Sequence, residues 1–593
     1  MKGIIYESPN EEPQETVVPE RFQNEDEDYK LDTPQYFEDR SIAETQINEP
    51  LIDDGVLLPE ISKLADTYSE SLIIARRGFT PIHVDEIASR VAGIYEKIRR
   101  VIDWKDDNAL RRGAVERILK RSLFPKLSGF SVRDINAETL AETVTTELIR
   151  GGHLPNDTIP RERITDVATA LNKYLYFLEH TSTYTLFEVK QKVNFATFIL
   201  EIAACEIEEI LTHPVKEYGL IKAMTDILDK RISAYPKAKL TAKEKYRHIY
   251  IATLRTLYGL DDNFIIFQIL KQKYPKWENP DPEFLEKVAK QLSDDWRNNQ
   301  VEIGKPITRK FNAITERMDT VFTLLDDILE SLKEEPLKIK KTLENKKKLI
   351  KLITSSYEKR YKTLKTRLFR LAVFSTLSVF LSNWFTFFLI EVPLARLFYE
   401  GFNFAAAAVD FLVPTAVMFF LVVIIKPPKQ KNIKKVIPTT LGFVYKDEKQ
   451  EHYEIRIQES KSSIFRVVLM SVYIWTILLV LMGIAYILYA AKLPITSVIF
   501  DTFTIALTVF AAVVIKNKSR ELNVDEHTNV QDFLLDIVAV PVAKVGSILA
   551  RKWKEYNLVA IFFNFIVETP LAFVLDFIQG WSEFIKEKRA ELR

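Results

Sequence analysis

The 593 residues are 47% hydrophobic and 27% charged with a formal net charge of +1, so no bulk charge bias points to nucleic acid or another polyanion. Sixteen glycines fall well below the usual share of about 7%, and no G-x-G-x-x-G or G-x-x-x-x-G-K-[ST] pattern occurs, which argues against dinucleotide folds and P-loop nucleotidases. The single cysteine, Cys205, excludes an internal disulfide, and the seven histidines lack metal-ligating spacing, so no metal or other cofactor is expected.

The near-neutral total hides a partition along the chain. Residues 1–54 hold 16 acids against four bases, broken by Pro9, Pro13, Pro19, Pro34 and Pro50. Such a segment buries too little apolar surface to offset its ordering entropy, so 1–57 reads as a disordered acidic tail. Its opening, Met1 to Glu7, has no apolar core of a signal peptide, which predicts an N-terminus kept in the cytoplasm.

Residues 58–335 show the 3.6-residue period of helices, about ten of them. Met318, Val321, Phe322, Leu325, Ile328, Leu329 and Leu332 fall on one face, with Asp319, Asp326, Asp327 and Glu330 off it. Thr241 and Glu244 form a capping box, and Asp281 precedes a proline at the first helical position. The mixed stretch 187–211 reads as the buried centre, and the turn at 151–158 offers a boundary between two subdomains.

Residues 336–370 read as a basic juxtamembrane helix, with 13 Lys/Arg and only Glu344 and Glu358 between 338 and 370. The pattern fits a solvated stalk under the positive-inside rule. It also fits a docking surface for anionic lipid through Lys346, Lys347, Lys348, Lys351, Lys359, Arg360, Lys362, Lys365, Arg367 and Arg370.

Apolar spans follow at 371–390 and 467–491, each free of charge and long enough to cross about 30 Å of hydrocarbon as a helix. Two more, 404–425 and 495–515, are interrupted by Asp410 and Asp501. Lysines and arginines cluster after the second and fourth spans, so four crossings with the N-terminus inside are expected over 371–515, and residues 426–464 and 517–530 should be cytoplasmic. Between the second and third spans, 441–445 and 452–458 flank a polar turn and read as a small cytoplasmic β-hairpin within 436–458. In the last region, 530–593, residues 532–550 read as an interfacial amphipathic helix, and 557–580 as a re-entrant or fifth membrane segment. The fold class is therefore mainly α: a large cytoplasmic helical domain followed by a membrane domain of four to five apolar segments.

Residues 385–395 (FTFFLIEVPLA) align without gaps on 562–572 (FFNFIVETPLA), pairing Glu391 with Glu568, and Asp410 aligns with Asp501. Both aspartates lie six residues into spans that begin outside, about 9 Å along the helix. Glu391, Asp410, Asp501 and Glu568 are thus a candidate intramembrane acidic site. Charge in a membrane span is costly and marks either a helix-to-helix hydrogen bond or an ion or proton path.

No catalytic constellation is present, so an enzyme is not expected. Two functions stay open: a membrane-anchored scaffold or assembly protein whose helical domain recruits partners, and a small oligomeric channel or transporter using the intramembrane acids. The expected partners are the bilayer, with anionic lipids, and proteins or further copies of the chain, with no nucleic acid.

Overall fold

The computed structural model describes residues 55–75, 79–84, 107–127, 135–184, 189–236, 240–388, 392–393, 404–425, 427–428, 432–457, 463–491, 493–523, 539–550 and 581. The acidic tail over 1–54 and the segment 557–580 lie outside them, save Trp581 just beyond.

Among the described residues ten helices precede the basic segment: α1 (Pro59–Ala75), α2 (Asp107–Leu127), α3 (Ala137–Arg150), α4 (Arg163–Tyr184), α5 (Val189–Thr212), α6 (Val215–Arg231), α7 (Ala242–Tyr258), α8 (Asp262–Lys273), α9 (Pro282–Ile303) and α10 (Pro306–Ser331). Their starts follow local chemistry. Thr241 accepts from the Glu244 amide at 3.2 Å while Glu244 accepts from the Thr241 amide at 2.9 Å, which closes the capping box of α7. Asp281 accepts from the Phe284 amide at 2.7 Å and Pro282 opens α9. Gly259 ends α7 in the left-handed region, φ 56°, where a side chain would be strained.

These helices build two hydrophobic cores. The first joins apolar faces of α2 to α5, α8 and α9, with Ile199, Ile202, Ala203, Cys205 and Ile207 of α5 at its centre. Leu148 and Ile149 before the 151–158 turn and Leu154 and Ile159 after it all belong to this core. α6 and α7 contribute to both cores: Ile221 and Ile251 face the first while Leu220, Met224 and Ile249 face the second.

The second core is assembled from distant sequence. α1, α6 and α10 are joined by α11 (Ile339–Glu344), the long helix α12 (Lys346–Thr386), and elements from between and after the membrane helices: α14 (Ile433–Val444), β2 (Tyr453–Arg456), Ile515 and Leu522. The apolar face of α10 lies here, with Met318, Val321, Phe322, Leu325, Ile328 and Leu329 buried.

The two-stranded β element forms with a different partner. Tyr453 and Ile455 are buried and Glu454 and Arg456 exposed, as their alternation predicts, but residues 441–444 are the end of α14 and not a strand. β2 instead pairs in parallel with β1 (Ile232–Tyr235) at the end of α6, in the register Ile232↔Tyr453 to Tyr235↔Arg456. A short apolar run such as Leu441 to Tyr445 does not distinguish strand from buried helix by period alone. Here Val436, Thr440, Leu441 and Val444 continue one helical face into the second core.

Among the described residues three helices are long and apolar enough to cross a membrane: the distal part of α12, α15 (Ser463–Ala490) and α16 (Ile495–Ser519). The segment expected as the second span is also helical, α13 (Phe404–Ile424), with Pro414 inside it. α13 packs between α12 and α16, and α15 packs on α16. Most of α15 is exposed, including Trp475, Leu479, Met482 and Tyr486, as a lipid-facing helix requires.

Of the expected interfacial helix, α17 (Ala539–Ala550) is described. A Cβ on Gly546 would sit 2.2 Å from the backbone oxygen of Ala506 and 2.7 Å from the Phe510 Cβ. That close approach sets α17 against the middle of α16, where small residues let helix backbones meet, and not at its end. Gly546→Leu should therefore lower the melting temperature of the purified protein by several degrees. Gly483→Leu, where an added Cβ meets nothing within 4 Å, should leave it unchanged. Equal melting temperatures for the two variants would contradict this packing.

Candidate functional site

The ten bases considered for lipid contact lie on α12, which runs unbroken from Lys346 to Thr386 and so carries the basic stretch directly into the first apolar span. Its inner face packs on the second core through Leu349, Ile353, Tyr357, Leu364 and Leu368. At 100° per residue Lys346, Arg360 and Arg367 fall on that same face. Each is paired there: Lys346 with Glu448 at 3.0 Å and over the Tyr445 ring at 5.1 Å, Arg360 with Asp327 through both carboxylate oxygens, and Arg367 with Glu521. These three are engaged with protein. Lys347, Lys348, Lys351, Lys359, Lys362, Lys365 and Arg370 are exposed on the outer face.

Distance separates the outer bases further. With 1.5 Å rise per residue, Lys348 lies about 35 Å along the axis from residue 371 and Lys362 about 14 Å, while Lys365 and Arg370 lie within about 9 Å. The field of an anionic surface decays over about 8 Å at physiological ionic strength. Lys365 and Arg370 are the bases within its reach.

The contacts of α12, α14, β2 and the end of α16 form a seam between the helical domain and the membrane helices. Arg231 donates to the Gly442 carbonyl at 2.7 Å and its guanidinium lies 4.1 Å over the Phe443 ring. Phe443 meets Phe322 edge-on at 5.6 Å between ring centroids. Tyr445 donates to the Leu343 carbonyl at 2.6 Å, and its amide region bridges the start of the described chain, with Lys446 donating to Val56 and Leu58 to Val444. After α16, Leu522 is buried in the same core and its carbonyl accepts from Asn432 at 2.5 Å.

Asp319 of α10 sits in this seam, accepting from Thr323 at 3.1 Å. Burial pushes its carboxyl up to about 7, against the opposing pull of the Thr323 hydroxyl, Arg360 and Lys518 and with a further push from Glu316. An acid whose folded value is raised binds its proton better folded than unfolded. Its stabilising contribution is therefore complete below the unfolded value of about 4 and is lost as pH rises through 7. Hydrogen exchange of the wild type should show seam stability falling between pH 5 and 8, and Asp319→Asn should remove that fall. A wild-type seam that strengthens over this range, or an unchanged slope in the variant, would contradict this.

Of the four acids of the candidate intramembrane site, Asp501 is described in full: it is 2% exposed on α16. Ser497, Thr502 and Thr508 are buried on the same helix, and Asn383 is buried near the outer end of α12, which packs on α16. Asp410 lies on α13, also packed on α16, and its side chain is outside the described residues. Glu391 and Glu568 are outside them as well. Thus α16 brings one acid into a polar stripe, and the helix bearing the other lies beside it.

Two further polar features escaped the sequence reading. In the first core Lys173, 1% exposed, donates to both oxygens of Glu206 at 2.6 and 2.8 Å and to the Trp277 carbonyl at 2.8 Å. Tyr174 and Trp277 also donate to Glu206, at 2.5 and 2.8 Å. The available signal was a lysine one residue before Tyr174 in the apolar face Val167, Leu171, Tyr174 and Phe177. Between the cores lies a cavity of about 510 Å³ lined by residues of α1, α2, α5 and α6. Its bases are matched by acids, Arg111 with Glu208 at 3.1 Å, Arg112 with Asp261 at 3.2 Å and Lys216 with Asp326 at 3.0 Å, so its walls hold no surplus positive charge for an anion.

No family model, curated protein or solved structure matches the chain.

Proposed function

We propose that the chain is a membrane-anchored scaffold that holds its helical domain in a fixed pose at the bilayer for protein partners. The observation supporting this is the shared second core. A domain merely tethered to its anchor needs no common hydrophobic interior, yet α14, β2 and Leu522 are built into the core that also contains α1, α6 and α10. The same contacts favour a topology of four crossings, since residues 432–457 and 517–523 both meet the helical domain and so lie on its side of the membrane. The lysine-rich loops make that side the cytoplasm. Lys365 and Arg370 meet anionic headgroups.

A channel or transporter is the second reading, favoured by the buried Asp501 within its polar stripe. The two separate in one experiment. Protein reconstituted in phosphatidylcholine vesicles should pass protons and potassium no faster than protein-free vesicles, and proximity labelling from the helical domain in cells should return the same partners for the wild type and Asp501→Asn. Flux in the wild type that vanishes in Asp501→Asn would replace the scaffold with the channel.

A further inference from the structure

Lys348, Lys351, Lys359, Lys362, Lys365 and Arg370 are exposed on α12 and have no ion pair among the described residues. At 100° per residue they lie within an arc of about 140°, spread over about 33 Å of helix. Glu358 is the one acid in 346–370. Such a stripe is self-repelling, and most of it stands farther from the bilayer than the screening length, so lipid headgroups cannot neutralise it.

We propose that the chain's own acidic segment, residues 1–54, lies along this face of α12. The point of departure is fixed at the foot of α12. The Gly55 amide donates to the Glu344 carbonyl at 2.8 Å, and a Cβ on Gly55 would lie 2.7 Å from the Lys346 side chain and 2.5 Å from the Tyr445 ring, so only glycine lets the chain pass there. The described chain therefore begins at the foot of α12, beside Lys346 and two residues before the stripe starts at Lys348. Charge matches: the segment holds 16 acids against four bases. Length matches as well. Glu25 to Asp28, its densest acidic run, precede Gly55 by about 30 residues, and a polypeptide coil of that length spans roughly 30 Å, close to the length of the stripe. Attachment at one end holds the acids at an effective concentration on the order of millimolar, which favours this partner over a second copy. The inference is independent of whether the protein is a scaffold or a channel.

Carbodiimide coupling tests it, because the reagent joins carboxylates to amines only in direct contact. Full-length protein in phosphatidylcholine nanodiscs, coupled and digested for mass spectrometry, should give links from acids within 1–54 to Lys348, Lys351, Lys359 and Lys362. The links to Lys348, which keeps its amine, should fall roughly tenfold in a Lys351→Glu, Lys359→Glu, Lys362→Glu triple variant, since three exposed pairs become like-charge contacts. Links should reappear, with donor and acceptor exchanged, when Glu25, Asp26, Glu27 and Asp28 are also changed to Lys. Absence of links between 1–54 and α12 in the wild type would overturn the proposal. So would links found mainly between isotopically distinct copies, or links to Lys348 and Lys351 that disappear when phosphatidylserine replaces phosphatidylcholine.

Discussion

Phe443→Ala should loosen the seam and leave the first core intact. The ring is 1% exposed, packed edge-on against Phe322 and beneath the Arg231 guanidinium, so its loss opens a cavity and also removes the apolar cover of a buried charge. Truncating a buried phenylalanine costs about 3–5 kcal/mol. A protein with two cores and a membrane part does not unfold in one step, so a global midpoint is a poor readout. Hydrogen exchange is the better one: amides of α14 and β2 should exchange on the order of a hundredfold to a thousandfold faster, while those of α4 and α5 keep their protection. Unchanged exchange at β2 would show that this contact does not hold the seam.

Glu206→Ala should strike the first core with similar force. The carboxylate receives hydrogen bonds from Lys173, Tyr174 and Trp277, and burial holds the Lys173 ammonium below the usual lysine range despite that partner. Removing the acid leaves the ammonium uncompensated in a low-dielectric interior, at about 3–5 kcal/mol. The diagnostic is the pair: Lys173→Met with Glu206→Met should cost clearly less than Glu206→Ala alone, because no orphaned charge remains. Exchange protection of α4 and α5 measures both. A double variant as unstable as the sum of its single changes would mean the two groups do not act together.

The features legible in the sequence were those encoded locally. The capping box at Thr241, the proline start of α9 and the apolar face of α10 follow from residues within a few positions of one another, and all are present. The four apolar segments of 371–515 are each helical for the same reason. What stayed hidden depends on contacts between residues far apart in the chain. Arg231 meets Gly442 and Leu57 bridges to Tyr445 across more than 200 residues of chain, and no period along the chain encodes that. The partner of β2 is a strand more than 200 residues earlier and not the nearest apolar run, a pairing that local alternation does not encode. The partition of the α12 bases was recoverable in principle. Lys346, Arg360 and Arg367 share the helical face of Leu349, Ile353 and Leu364, and the counter-charges Glu448, Asp327 and Glu521 could not be matched to them without the fold.

The central claim is that the helical domain is locked to the membrane part through the seam, and the β1–β2 register tests it most directly. Ser233 and Glu454 are register partners with exposed side chains, at a separation that parallel strands share with disulfides. Ser233→Cys with Glu454→Cys should form a disulfide on mild oxidation in native membranes, with Cys205 buried and inert. Ser233→Cys with Arg456→Cys, two positions out of register, should form far less. Efficient bonding in the first pair alone is the predicted result. Failure of the in-register pair to bond, or equal bonding of both, would mean that the domain is tethered and not docked.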